Sequence, residues 1–122
     1  MIVYRIQDIR GRGPFVTGLT RCWLQERPDH EHLLPWYMEI GQVHFLALVG
    51  MHVGCACETL DQLRRWFTAA EYFALKKLDY FAVRMEVGRI LGSSDTQLVF
   101  ERRLPLSEGY EIIDLYPKQE AA

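Results

Sequence analysis

The sequence predicts a single α+β domain spanning residues 1–122, with a mainly antiparallel β-sheet, continuous or split, and two short helices gathered on one side of it. Apolar residues alternate with period two near both ends of the chain, and two helix capping boxes follow one another in the middle. A chain of 122 residues that is 49% hydrophobic has material for one core and no room for a second domain. Strands followed by helices and then strands again, without a strict βαβ alternation, place the helices against one face of an antiparallel sheet.

Residues 2 to 7 set Ile2, Tyr4 and Ile6 against Val3, Arg5 and Gln7, a strand pattern in which Arg5 shares a face with Val3. A cation held there has little reach to bulk water. Arg5 therefore needs a specific partner, either an internal carboxylate at Asp8, Glu86 or Glu101 or a bound anion. From Ile9 to Glu39 the periodicity is lost, and Gly11, Gly13, Pro14, Gly18, Pro28 and Pro35 punctuate a connection far longer than usual. A loop of this kind binds something or is tied down by its own aromatics, here Phe15, Trp23, Trp36 and Tyr37.

The apolar run "VHFLALVGMHVGCAC", residues 43 to 57, reads as strands interrupted at Gly50 or Gly54 by a bulge or a close backbone approach. In "TLDQLRRWF", Thr59 and Gln62 form a capping box, and Leu60, Leu63 and Phe67 follow at helical spacing. Thr68 and Glu71 repeat the device ahead of Tyr72, Leu75 and Leu78. Helices are thus expected near 60–67 and 69–78, meeting at a corner at Thr68. "YFAVRMEV" then alternates Phe81, Val83, Met85 and Val87 inward against Tyr80, Ala82, Arg84 and Glu86, while "QLVFERRL" and "YEIIDLY" supply further strands.

With 14 basic and 16 acidic residues the net charge is −2, so no overall field draws the protein to phosphate backbones or anionic lipid. Direct nucleic-acid binding is not expected. The opening "MIVYRIQD" lacks a basic start and long apolar run, and no stretch approaches the roughly 20 apolar residues of a membrane span. The expected location is the cytoplasm, with no membrane partner. Cys22, Cys55 and Cys57 are too few and odd in number for a disulfide framework, and are expected to be reduced and metal-free.

His52, Cys55 and Cys57 form an H-x-x-C-x-C cluster, with Cys22, His30, His32 and His44 as further ligand candidates. Zinc sites favour ligands two to four residues apart on tight knuckles, so an i, i+2 pair on a strand reads as buried thiols. The "GRGPF" turn lacks the lysine and following helix of a phosphate-cradling loop, although Arg10, Arg12 and Arg21 surround it with positive charge. Arg64 with Arg65, and Lys76 with Lys77, read as solvated helix faces.

Arg5 on a first strand, Glu58 and Thr59 opening a helix after an apolar strand, and "SSDTQLVFE" entering a late strand together resemble the skeleton of the ADP-ribosyltransferase superfamily. That resemblance implies an ADP-ribosyltransferase-like fold with NAD as the cofactor. Arg5 would pair with the pyrophosphate, Tyr4 or Trp66 would stand near the nicotinamide, and Gln97, Asp95 or Glu101 near the ribose. The sequence departs from the pattern at two places. "GCACET" replaces a hydroxyl-rich motif, and Gln97 brings no negative charge to a developing oxocarbenium ion.

The opening "YRIQD", the turn "GRGPF" and the stretch "HVGCACETLDQLRRWF" also resemble small proteins carried by bacteriophages and mobile elements. That resemblance implies a host-directed role in the host cytoplasm. The expected partner is a host protein or ribonucleoprotein complex, such as a CRISPR-type defence effector, which the protein binds and inhibits. The alternative is an active NAD-dependent ADP-ribosyltransferase that modifies a host target.

Overall fold

The computed structural model describes residues 1–25 and 33–117. In chain order, β1 (Ile2–Gln7) leads through a 3-10 turn at Thr20–Cys22 to α1 (Trp36–Glu39) and a second 3-10 turn at Val43–Leu46. There follow β2 (His52–Ala56), α2 (Leu60–Trp66), α3 (Ala69–Lys77), β3 (Phe81–Glu86), β4 (Arg89–Ser93), β5 (Leu98–Arg102) and β6 (Glu111–Ile113). The sheet is split. One three-stranded sheet runs β1–β3–β6 and the other β2–β5–β4, and every pairing is antiparallel. The two sheets join at a corner, where Tyr4 and Cys57 exchange backbone hydrogen bonds of 2.9 and 2.8 Å.

The first sheet is covered on both faces. Ile6 and Ala82 pack with Leu63 of α2 and with Tyr72 and Leu75 of α3, so both helices do lie on one side. On the opposite face, Val3, Val83 and Met85 meet Ala56, Leu98 and Phe100 of the second sheet. This double cover corrects the expected in–out alternation of residues 80 to 87. Tyr80 and Ala82 are buried as well as Val83, Met85 and Val87, because β3 is a central strand between helices and sheet.

Both capping boxes form. Thr59 accepts from the Gln62 amide while Gln62 accepts from Thr59 N–H, at 3.1 and 3.2 Å, and Thr68 and Glu71 repeat the exchange at 3.2 and 2.9 Å. These bonds satisfy amides that the first helical turn leaves without partners, which fixes both starts at the expected residues.

The strand expected from residue 43 is overturned. Residues Val43–Leu46 form a 3-10 turn, and β2 begins only at His52. The run is apolar enough for a strand, but residues 43–46 join neither sheet, and Gly50 turns the chain with φ of +84°. Gly54 makes the expected close approach: a Cβ there would lie 2.5 Å from Arg5 Nη1 and 2.8 Å from the Phe100 ring. The bulge falls instead in β4, between Ile90 and Gly92.

The long connection is held by aromatics in its described parts. Phe15 and Trp23 meet edge to face at 5.1 Å and both contact Phe67 at the α2–α3 corner, while Trp36 meets His44 at 5.4 Å. Pro28, His30 and His32 lie outside the described residues.

Candidate functional site

Arg5 occupies the middle of β1, paired with Val83, and its strand neighbours on the same face, Val3 and Gln7, are fully buried. Its side chain therefore enters the space between the two sheets. The guanidinium donates from Nη2 to the Gly11 carbonyl at 3.2 Å, while Nε and Nη1 meet no acceptor among the described residues. None of the three carboxylates expected as partners hydrogen-bonds to it. Asp8 is taken by Arg12 at 2.9 Å and by the amides of Arg10 and Arg12, Glu86 is exposed, and Glu101 pairs with Arg89. Burial would raise the Asp8 pKa, but these hydrogen bonds outweigh it and hold the carboxyl below its ordinary value.

A second buried cation stands near. Arg102 donates to the carbonyls of Gly109, Pro105 and Glu108, and its Nε meets no acceptor among the described residues. Burial pushes the Arg5 pKa down; Cys55 opposes this, Arg102 reinforces it more weakly than Cys55 opposes it, and Asp8 opposes it least. Guanidinium remains charged at any physiological pH, so the cost is carried as a buried cation with a single hydrogen bond to a carbonyl.

This cation lies in the wall of a cavity of about 800 Å³. The "GRGPF" turn forms one side of it, β2 and Cys57 another, and the rings of Trp36, Trp66 and Phe67 close around it. Arg5, Trp66 and Gln97 are thereby brought together in one cavity. Trp66 donates its indole N–H to the Thr96 carbonyl at 2.9 Å, and Gln97 donates to the Leu34 carbonyl at 2.7 Å. Tyr4, Asp95 and Glu101 do not line this cavity. Tyr4 packs against the helix-side core, Asp95 is exposed with its carbonyl accepting from Gln62, and Glu101 faces the segment before β2. Among the described residues, no Asp or Glu lines the cavity, and the charged side chains that do are Arg5 and Arg12.

The stretch "SSDTQLVFE" instead anchors the irregular segment that precedes β2. Ser94 and Thr96 donate to the Glu39 carboxylate, Gln97 holds Leu34, and Glu101 accepts from the Leu48 amide at 3.0 Å. Arg89, paired to Glu101, donates to the Leu46 carbonyl at 2.7 Å. Sequence reasoning missed Glu39 and Arg89 because each acts through a partner distant in the chain, and Arg102 because its nearby partners are backbone carbonyls of an irregular turn.

Cys57 is buried and donates to the Thr96 carbonyl, and burial pushes its thiol up to about 12. Cys22, Cys55 and Cys57 are free thiols. Among the described residues, no three His, Cys, Asp or Glu side chains gather as a metal site, and no helix is long and apolar enough to cross a membrane.

A split-sheet α+β scaffold with a cationic cavity and a tethered apolar segment is a small phage protein by its sequence relationship. Over residues 1–109 the chain matches the family described as Bacteriophage T4 Y00F protein, and it belongs to that family. No curated protein and no solved structure matches it, so neither comparison supplies an ADP-ribosyltransferase relative.

Proposed function

We propose that this phage protein binds a host macromolecular complex through the apolar face of residues 34–49 and inhibits it by occupancy. A CRISPR-type defence effector is the target class that the sequence resemblance favours. The observation that carries this is the exposure of Leu34, Tyr37, Met38, Phe45, Leu46, Leu48 and Val49 within one short segment, with Phe45 at 74%. The segment is nonetheless held in place by Gln97, Glu39, Arg89 and Glu101. Apolar side chains displayed on a fixed backbone suit protein docking, because little conformational freedom is lost on binding.

The alternative, an NAD-dependent ADP-ribosyltransferase, draws support from Arg5, Trp66 and Gln97 sharing one cavity. Among the described residues no carboxylate lines the cavity to stabilise an oxocarbenium ion, which favours binding over transfer.

The test is to cross-link the tagged protein in phage-infected cells and compare the wild type with a Phe45→Asp, Leu48→Asp double variant. The expected result is a host complex cross-linked at residues 34–49 and lost in the variant, whose melting temperature is unchanged because both positions are exposed. Unchanged recovery by the variant overturns docking through this face. Plating of a CRISPR-targeted phage on cells that express the protein tests the target class, and no rescue removes it. NAD turnover by the purified protein would restore the transferase.

A further inference from the structure

The space around the Arg5 guanidinium is created by glycine. A Cβ at Gly54 would lie 2.5 Å from Nη1 and one at Gly13 would lie 3.7 Å from Nη2, and both glycines also line the 800 Å³ cavity. The guanidinium end of Arg5 is therefore at the cavity wall, with Nε and Nη1 lacking acceptors among the described residues. Burying a guanidinium on one carbonyl hydrogen bond is costly, and Arg102 nearby adds repulsion that Cys55 and Asp8 oppose without supplying a hydrogen bond. An oxyanion meets both demands. The remaining lining selects its body: Trp36, Trp66, Phe67, Leu63 and Ala56 present rings and aliphatic surface, and among the described residues no carboxylate stands in the lining to repel an anion. The volume falls within the range of small-molecule sites.

We infer that this cavity binds a small molecule in which an oxyanion, carboxylate or phosphate, is joined to a flat apolar body. Arg5 takes the anion and the aromatic walls take the body. The site borders the docking segment at Pro35, Trp36 and Tyr37 but does not include Phe45 or Leu48, so the Phe45→Asp, Leu48→Asp variant and the Arg5 titration test the two readings independently.

The experiment is calorimetric titration of the full chain with 2-naphthoate, 2-naphthyl phosphate and the neutral 2-naphthamide. It is combined with observation of the Arg5 Nε–H resonance in the unsubstituted protein. At least one anion should bind about tenfold or more tightly than the amide and shift that resonance, since a charge-assisted hydrogen bond distinguishes them. The tighter of the two anions identifies the natural group as carboxylate or phosphate. Arg5→Met should lose the preference for anions while melting at the same temperature or higher, because it removes a buried charge with a single hydrogen bond to a carbonyl. Equal binding of amide and anions, an unmoved Arg5 resonance at saturation, or no binding of any probe overturns the site. So does an Arg5→Met protein that melts lower yet keeps the anion preference. The resonance measurement needs no substitution and holds even where the variant fails to fold.

Discussion

Glu101 and Arg89 show how two opposite charges in one pair respond differently to loss of a partner. The carboxylate is 1% exposed and the guanidinium 50%, so only Glu101 depends wholly on its partners. Arg89→Met strands a buried carboxylate with the Leu48 amide alone and should cost about 3 kcal/mol in denaturant unfolding. Glu101→Gln leaves Arg89 free to turn into water and should cost only about 1 kcal/mol. Equal losses would show that the pair is not held in this asymmetric way. Cys57 makes a second residue-scale case. Its thiol stays protonated to about 12 in the fold, against an ordinary value of 9.0, so the folded state holds the proton more tightly than the unfolded state. The associated stability is complete below pH 9 and is lost as the pH climbs towards 12. Iodoacetamide at neutral pH should label exposed Cys22 and spare Cys57, and Cys57 should become reactive only as alkali unfolds the protein.

At the scale of elements, close approach decides which residue each strand tolerates. β2 crosses over Arg5 at Gly54, where a methyl group would press on Nη1 and on the Phe100 ring. Gly54→Ala should therefore lower stability by about 1–3 kcal/mol, although alanine ordinarily suits a strand no worse than glycine. A thermal melt matching the wild type would mean that the sheets part readily at this point. The two helices were legible because each capping box is complete within four residues, and the structure starts both where Thr59 and Thr68 place them. β4 was not legible: "RILGS" offers a short, bulged edge strand with a glycine, and only its pairing with β5 makes it one. The 43–57 run failed for the opposite reason. It has strand composition, yet its first part joins neither sheet and stays exposed.

At the scale of the whole molecule, β3 is the centre: it pairs on both edges and is covered by helices on one face and by the second sheet on the other. Its amides should exchange most slowly in hydrogen-exchange measurements, near the global unfolding limit, while those of the edge strand β4 exchange sooner. Faster exchange in β3 than in β4 would show that the sheets open before the hairpin frays.

The sequence by itself determined the α+β class, the two helix starts, and the strand that carries Arg5 on one face with Val3. Those follow from signals that lie within a few residues: a period of two, a cap and its box, a charge beside valine on one strand face. Only the tertiary structure decided that the sheet divides, that Gln97 and Glu101 tether the preceding segment, and that Arg5 has neither Asp8, Glu86 nor Glu101 as its hydrogen-bond partner. Which charge finds which partner depends on how two sheets with antiparallel but separate registers come face to face. No local pattern encodes that distance, and here it leaves the opening cation at the wall of a cavity.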